Sequence, residues 1–362
     1  AATTNVARSG SGSFTVPTIV MNSAHSVSDL GVTQYFLTTT GLVSGSVSSV
    51  TASPTSDSWY DSGSGVSVVL NYVWGVSGGS RSSLVSYAVD SVITGVSRSG
   101  SGSFSVPTIT MNTSHSVGDA AQTQYFLTNT LIGGSVNSIT ASPTVDSWYD
   151  SGSSVSVVLN YVWGASSTMR SNLFSYTVDA VTTSVSRSGS GTFAVPVITM
   201  SAAHSVSDAG VTQYQLTVTS AHDSPVPVSG SWFDSGTLVN ASVLSPADVS
   251  GGTRYRCIGW TGAGSVPSSG LTSSVSFTIG APSSVTWNWQ TQYLLTVTGG
   301  NGVVVSGSQT SDSWFDSGSS ATATSNYVWN SVSGQSRNNL YRWNLDGGSW
   351  NNIARANAGT YT

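Results

Sequence analysis

The chain has 362 residues and a formal net charge of −5, and only 7% of its residues are charged. It contains no lysine and no glutamate, so its charges come from ten arginines and fifteen aspartates. This excludes a nucleic-acid binder, which needs a basic patch, and chemistry that depends on lysine, such as a Schiff base or a P-loop. The single cysteine, Cys257, excludes an internal disulfide framework and a cysteine-based zinc cage.

The apolar residues nevertheless predict a folded chain. Hydrophobic residues make up 38% of the sequence and there are twelve tryptophans, more than a disordered segment carries. Because no run of about 18 apolar residues occurs, we expect no membrane span. The first residues lack the charged and apolar regions of a signal peptide, so if the chain is secreted, as we expect from the resemblance described below, that peptide has already been removed.

The first thirty residues predict a β-strand. Phe14 and Val16 alternate with polar residues, and after a proline the apolar phase moves to Ile19 and Met21. The segment Val16–Val27, called the spare strand below, carries no fixed charge. Edge strands are usually protected by charged side chains, so this strand is predicted to pair.

The rest of the chain is organised by internal repeats. The segment Arg8–Pro17 returns at Arg98–Pro107 and at Arg187–Pro196, at intervals of 90 and 89 residues, and Thr-Gln-Tyr and Ser-Trp-(Tyr/Phe)-Asp-Ser-Gly each occur four times. These spacings predict an N-terminal extension with the spare strand (1–30), repeat 1 (31–120), repeat 2 (121–209), a divergent repeat 3 (210–290), and repeat 4 (291–362), which lacks its last strand.

Each repeat has the pattern of short β-strands. In Val66–Trp74, alternate residues are apolar, and turn sequences such as Asp-Ser-Gly and Ser-Gly-Gly-Ser separate the apolar runs. No window carries a sustained helical stripe. We therefore predict an all-β chain, a tandem array of four Ig-like β-sandwich modules with an N-terminal spare strand.

The two ends of the sequence match each other. Asn352–Thr362 aligns with Asn5–Thr15, and in repeats 1 and 2, and in diverged form at Pro282–Asn288 in repeat 3, the chain continues into a copy of Val16–Asn22 that repeat 4 lacks. We expect the spare strand of one copy to complete repeat 4 of another, in a head-to-tail homopolymer. If a module instead begins at Val16, repeat 4 is complete and residues 1–15 are a surplus arm.

This hypothesis defines a donor and an acceptor. The donor anchors are Phe14, Val16, Ile19 and Met21, and which parts of residues 5–15 and 16–27 insert is left open. The acceptor residues are the aromatic and apolar residues of repeat 4, namely Trp314, Tyr327, Trp329, Leu340 and Tyr361.

The recurring histidines His25, His115 and His204 each precede an aspartate by four residues. Such pairs could support acid–base chemistry or bind a metal, but recurrence at one place in every repeat favours a structural turn. In the Trp-(Tyr/Phe)-Asp-Ser-Gly motif we expect the tryptophan to pack under the turn, the aspartate to bind backbone amides, and the glycine to take a positive φ; a carbohydrate platform and weak calcium binding are the alternatives. No cofactor and no metal is expected.

Glycans are a further expected partner. Asn112-Thr-Ser and Asn240-Ala-Ser are sequons for N-glycosylation, and sugar would keep a surface with few charges soluble. Because Lys and Glu are absent, few groups titrate, and we expect a flat stability profile from acid to neutral pH.

The order Gln-Tyr-x-Leu, then Ser-Trp-Phe-Asp-Ser-Gly (313–318), and Gly259-Trp260 resembles β-sandwich repeats of archaeal secreted and cell-surface proteins, and the array is similar to archaeal filament subunits assembled by donor strands. The resemblance implies an extracellular or cell-surface location. The sequence thus predicts a non-enzymatic filament subunit; the alternative is a monomeric or S-layer-associated adhesin or stalk that binds carbohydrate or a surface.

Overall fold

The computed structural model describes residues 3–299 and 301–362. Every regular element in this part of the chain is a β-strand, and no helix occurs there, which confirms the predicted all-β fold class. The described residues accordingly include no helix long and apolar enough to cross a membrane. The chain divides into two compact units, residues 1–163 with 172–210, and residues 164–171 with 211–362.

Most strands before residue 204 are short, and the three longest are β7, β11 and β17. The strands of this part are β1 (Gln34–Gly41), β2 (Val47–Val50), β3 (Trp59–Asp61), β4 (Gly65–Val66), β5 (Val68–Asn71), β6 (Val73–Ser77), β7 (Ser80–Val89), β8 (Val92–Gly95), β9 (Ser103–Ser105), β10 (Ile109–Thr110), β11 (His115–Thr130), β12 (Val136–Ile139), β13 (Trp148–Asp150), β14 (Ser154–Val155), β15 (Val157–Asn160), β16 (Val162–Trp163), β17 (Met169–Val178), β18 (Val181–Ser184), β19 (Thr192–Ala194) and β20 (Ile198–Thr199).

The remaining strands include three more long ones, β21, β25 and β28. They are β21 (His204–Thr219), β22 (Ser231–Asp234), β23 (Leu238–Ser242), β24 (Ala247–Ser250), β25 (Thr253–Ala263), β26 (Ser269–Gly270), β27 (Ser274–Thr278), β28 (Ser283–Leu294), β29 (Val304–Ser306), β30 (Trp314–Asp316), β31 (Thr322–Asn326), β32 (Val328–Val332), β33 (Ser336–Asn339), β34 (Arg342–Trp343), β35 (Asn351–Asn352) and β36 (Thr360–Tyr361).

Repeats 1 to 3 each bury a hydrophobic core. In repeat 1 the alternating residues Val66, Val68 and Leu70 are fully buried, as period-2 patterning of a half-buried strand requires. Repeats 2 and 3 have equivalent cores around Leu159 and Phe277. The described residues of repeat 4 contain no comparable cluster of buried side chains, and Phe315 is the buried hydrophobic residue there.

Consecutive repeats are joined by long strands. The first half of β11 pairs antiparallel with β7 of repeat 1, from Val117 opposite Val89, and its second half pairs with β13 of repeat 2. In the second unit, β28 pairs in the same way with β25 and then with β30. The corresponding strand at the start of repeat 1, β1, begins only at Gln34 and has 8 residues against 16 in β11.

Candidate assembly surfaces

Two internal copies of the spare strand lie inside a core. Val106, Ile109 and Met111 are buried in repeat 1, where they pack on the row formed by Val66 and Val68. Their equivalents in repeat 2 are buried in the same way: Val195, Ile198 and Met200. The segment that follows each Arg-Ser-Gly-Ser-Gly motif therefore completes the hydrophobic core of the repeat that precedes it.

Backbone hydrogen bonds fix the register of these copies. The Val106 amide donates to the carbonyl of Val68 at 2.9 Å, Ile109 pairs with Val66, and the Met111 amide donates to the carbonyl of Ser64 at 2.9 Å. Repeat 2 repeats this pattern, with the amides of Val195 and Met200 donating at 2.9 Å to Val157 and Ser153. The same register in two places shows that it belongs to the sequence motif.

The first copy of the segment is uncovered. Ile19 is 40% exposed and Met21 is 71% exposed, whereas Met111 and Met200 are inaccessible to solvent. Phe14 and Val16 are exposed as well. Residues 3–33 form no strand, although their copies do. A row of large apolar side chains without a core to enter is a surface that favours association.

Repeat 4 presents the complementary gap. Its last strand, β36, pairs with β31, Tyr361 opposite Ser325 and Thr360 opposite Asn326, just as Phe104 and Ser103 pair with Leu70 and Asn71 in repeat 1. The position of Phe104 is thus already filled within repeat 4. In the described residues, nothing covers the positions where Val106 to Met111 would lie.

The side chains that line this gap are small. Aligning Asp316-Ser-Gly with Asp61-Ser-Gly places Ala321, Ala323 and Ser325 where repeat 1 has Val66, Val68 and Leu70. The two alanines are exposed and Ser325 is half-buried, whereas the three residues in repeat 1 are fully buried. We call this surface, Ala321 with Ala323 and Ser325, the open groove.

The predicted acceptor residues do not all border the open groove. The rings of Tyr327 and Tyr361 meet edge to face at 6.0 Å, and Trp329 and Leu340 are half-buried in the same repeat. Trp314 lies elsewhere, with its ring under the guanidinium of Arg254 at 4.6 Å. It belongs to a contact with repeat 3.

That contact is one of two closely similar arginine junctions. In the first unit the buried Arg81 of repeat 1 reaches repeat 2: its Nε donates to Gln124 at 2.9 Å, its guanidinium lies 4.5 Å above the Trp148 ring, and Nη2 is 2.7 Å from Asp146. Nη2 also donates to Thr144 at 2.9 Å. A buried cation is tolerated because it is paired and fully hydrogen-bonded.

The second unit contains the other junction. Arg254 of repeat 3 donates to Gln292 at 2.8 Å and to Thr310 at 3.0 Å, and lies 2.7 Å from Asp312. A third arginine, Arg170, donates to Gln213 at 2.8 Å and lies above the ring of Trp232. The recurrence of one arginine per repeat was a signal in the sequence, but the partners of these arginines lie 38 to 67 residues away along the chain.

Repeat 1 contains the receiving half of this junction. Gln34 donates to Asp61 at 3.0 Å as Gln124 does to Asp150 at 3.2 Å, and Thr55 donates to Asp57 at 2.5 Å as Thr144 does to Asp146. No arginine lies over Trp59 in the described residues, and this ring is 43% exposed. The equivalent arginine of repeat 4, Arg337, is exposed and donates to Asn357 at 2.8 Å.

His115 and His204 pair with aspartates other than those that follow them by four residues. Nδ1 of His115 lies 2.6 Å from Oδ2 of Asp90, whose Oδ1 accepts the Ser116 amide at 2.8 Å. These two contacts, first the Ser116 amide and then His115, lower the pKa of Asp90. Asp119 instead accepts the Val43 amide at 2.5 Å. His204 and Asp179 repeat the pair at 2.5 Å, which agrees with a structural turn.

Among the described residues, the side-chain hydrogen-bond partners of His25 are local, Asn22 at 3.2 Å and Ser23 at 3.4 Å. The residue of repeat 4 that corresponds to Asp90 is Asp346, and both have the unusual positive φ, 48° and 50°. No cluster of three or more His, Cys or Asp that could hold a metal occurs in residues 3–299 and 301–362.

The Trp-(Tyr/Phe)-Asp-Ser-Gly motif is partly as predicted. Its glycine has a positive φ, 82° at Gly63 and 84° at Gly318. Its aspartate binds an arginine rather than backbone amides: Arg8 Nη1 lies 2.6 Å from Asp61, and Arg98 holds Asp150 through two hydrogen bonds of 2.6 and 2.7 Å. Arg8 lowers the pKa of Asp61.

The two sequon asparagines, Asn112 and Asn240, are exposed. Asn240 lies in β23, where its Oδ1 accepts the Ser276 hydroxyl at 2.6 Å, and Asn112 Oδ1 lies 3.3 Å from His115. Comparisons of the chain with protein-family models, with curated proteins and with solved structures found no match. The exposed segment, the open groove and the arginine junctions are the features of the chain that suggest a function.

Proposed function

We propose that this chain is a structural, non-enzymatic subunit of an extracellular filament, in which the spare strand of one copy enters the open groove of repeat 4 in the next. One observation carries the proposal. The spare strand is uncovered, while both of its internal copies fill a core in one fixed register. The resemblance to archaeal cell-surface repeats supports the extracellular location.

The internal copies define the register of the joint. Val16 would donate its amide to the carbonyl of Ala323, as Val106 does to Val68, and Ile19 would pair with Ala321, as Ile109 does with Val66. Met21 would then exchange hydrogen bonds with Ser319 and Gly318. The groove's small side chains leave room for larger anchors, and each anchor contributes about 1.5–3 kcal/mol when fully buried.

The joint also gives the long connecting strand a partner. In repeat 1, β7 pairs with the first half of β11, whereas in repeat 4 the corresponding strands β33 and β34 pair only with β32 and β35 among the described residues. Residues 25–33 of an incoming copy would extend β1 to the length of β11. Donor and acceptor surfaces differ, so the contact is heterologous and can repeat from copy to copy along an open filament.

The test compares two neighbouring substitutions in the full chain. Ile19→Asp places a carboxylate at a position whose copies, Ile109 and Ile198, are buried, and Val20→Asp places the same group where the copy Thr110 is exposed. Both side chains are exposed in the single chain, so neither change should impair folding. Circular dichroism checks folding, and light scattering with negative-stain microscopy measures assembly.

We expect the unmodified chain and Val20→Asp to form filaments, and Ile19→Asp to remain monomeric, because burying an unpaired carboxylate opposes insertion. Filaments of Ile19→Asp equal in number and length to those of the unmodified chain would contradict the proposal. So would an unmodified chain that stays monomeric at every concentration.

A second candidate function is a stalk or adhesin that binds carbohydrate or a surface. The observation that favours it is an exposed aromatic cluster in repeat 4, where the guanidinium of Arg342 lies 4.3 Å above the ring of Trp350 and 5.0 Å above that of Tyr341. Exposed aromatic faces beside a cation can stack on ligand rings. Glycan-array binding lost in Trp350→Ala, with assembly unchanged, would support this function.

A further inference from the structure

Each arginine junction consists of an arginine and a receiving site on the following repeat. Among the described residues, the receiving site in repeat 1 binds no arginine, and Arg337 of repeat 4 lies on no receiving site. In repeat 2 the same four residue types, glutamine, threonine, aspartate and tryptophan, receive Arg81; in repeat 4 they receive Arg254. In repeat 1 they are Gln34, Thr55, Asp57 and Trp59. The residue that aligns with Arg81 in repeat 4 is Arg337.

We infer that Arg337 of one copy docks on Gln34, Asp57 and Trp59 of the next copy and forms the second contact of the subunit joint. This inference rests on the proposed function, because the inserted strand is what brings repeat 4 of one copy against repeat 1 of the next. The occupant of the exposed Trp59 face is therefore a second copy of this chain.

The receiving site is already arranged for a guanidinium. The side-chain amide of Gln34 donates to Asp61, which leaves its Oε1 as the acceptor, the role that Oε1 of Gln124 has toward Arg81. Asp57 supplies the negative charge, and its Oδ1 is held by Thr55 at 2.5 Å. The Trp59 ring is braced by Phe36 at 5.4 Å, as Trp148 is by Phe126 at 5.2 Å.

Residues of the two occupied junctions are buried, whereas their counterparts in repeats 1 and 4 are more exposed. Gln124 and Gln292 are completely buried under their arginines, whereas Gln34 is only half-buried and Trp59 is exposed. Arg81 and Arg254 are buried, whereas Arg337 is exposed. In a single chain, the receiving site around Trp59 and the guanidinium of Arg337 are therefore both uncovered. The receiving site needs an arginine, and Arg337 needs a receiving site.

The experiment uses two full-length chains that can combine in one way only. The donor-blocked chain carries Ile19→Asp and Met21→Asp, and the acceptor-blocked chain carries Ala323→Asp, in the open groove. Mixed together they form a single heterodimer, in which Arg337 comes from the donor-blocked chain and Trp59 from the acceptor-blocked chain. Its Kd is measured by microscale thermophoresis for Arg337→Gln, Trp59→Leu and the pair.

We expect Arg337→Gln to raise the Kd about 10- to 100-fold, as for the loss of a paired cation stacked on an aromatic ring. Trp59→Leu should add little once Arg337 is replaced, because both changes remove the same contact. Arg337→Lys should recover part of the affinity, since it keeps the charge but not the planar fork. Arg355→Gln, which removes an equal charge from repeat 4 at a residue outside the proposed contacts, is the control and should stay within about threefold.

Two results would overturn the inference, and they show whether the arginine contact alone or the whole proposed function has failed. A heterodimer whose Kd is unchanged by Arg337→Gln, or in which the Arg337 and Trp59 effects simply add, removes the arginine contact and leaves the inserted strand in place. If the blocked chains do not combine and the unmodified chain does not polymerise, the proposed function fails, and the arginine contact fails with it.

Discussion

Replacing the same isoleucine in three copies of one motif separates the roles of those copies. Ile109 and Ile198 are each 5% exposed, whereas Ile19 is 40% exposed. Truncating a buried isoleucine to alanine destabilises a protein by about 2–5 kcal/mol, through lost burial and the cavity left behind. We therefore expect Ile109→Ala and Ile198→Ala each to lower the free energy of unfolding by that amount.

The first copy should behave differently. In a single chain, Ile19→Ala should change stability by less than about 0.5 kcal/mol, as at an ordinary surface site. In the filament, Ile19 would occupy the position of Ile109, so the same 2–5 kcal/mol should appear as a rise of about 30-fold or more in the critical concentration for assembly.

Urea unfolding followed by circular dichroism measures stability, with every variant made in the Ala323→Asp background so that the protein stays monomeric. Sedimentation of variants without that change measures the critical concentration. If Ile19→Ala destabilises the monomer as much as Ile109→Ala does, the spare strand packs in its own chain, and the reasoning is refuted.

Three further predictions follow from the contacts. Asp90 has a lowered pKa in the folded chain, so its contribution is present above the ordinary value of 3.8 and is lost as the pH falls through the folded value. Thermal unfolding temperatures should therefore decline below about pH 4, and less so in Asp90→Asn, in contrast to the flat acid profile that the composition alone predicts. Asp346→Asn should weaken assembly by removing the partner of an incoming His25 while leaving monomer stability unchanged, and a destabilised monomer would count against it. Arg81→Gln should lower stability by about 1.5–3 kcal/mol in urea, and a smaller change would mean that its junction is not a strong contact.

The sequence was sufficient for the features that depend on neighbouring residues. Strict alternation in Val66–Leu70 predicted a buried face because successive side chains of a strand point to opposite sides, and the glycine of Asp-Ser-Gly was correctly expected at a positive φ. The copies of Phe14–Met21 were recognised by repetition alone, and the structure shows that the two later ones are buried.

The sequence was insufficient where partners are set by strand pairing. Asp119 follows His115 by four residues on the same strand, β11, but the antiparallel pairing of β11 with β7 brings Asp90, which directly follows β7, to His115 instead. Asp150, at the end of β13, binds Arg98, which precedes β9. Such partners are 25 to 52 residues apart, and local patterns carry no information about them.

Asn357 of repeat 4 replaces a glycine of the repeated Arg-Ser-Gly motif. This difference bears on which of two similar segments, Arg355–Asn357 or Arg8–Gly10, occupies the joint between copies. A Cβ added to Gly10 would lie 2.2 Å from Asp57 Oδ2, and one added to Gly100 would lie 2.2 Å from Asp146 Oδ2, so a side chain at this site would have to displace that carboxylate. Repeat 4 has Asn357 at that position. Arg355–Asn357 of one copy would therefore fit poorly, on the next copy, in the place that Arg98–Gly100 takes on repeat 2. In the filament that place would stay with the next copy's own Arg8–Gly10, already seated there through Asp61. The joint would then have two contacts between copies, the inserted spare strand and Arg337. The contact of Arg8 with Asp61 would stay within each subunit.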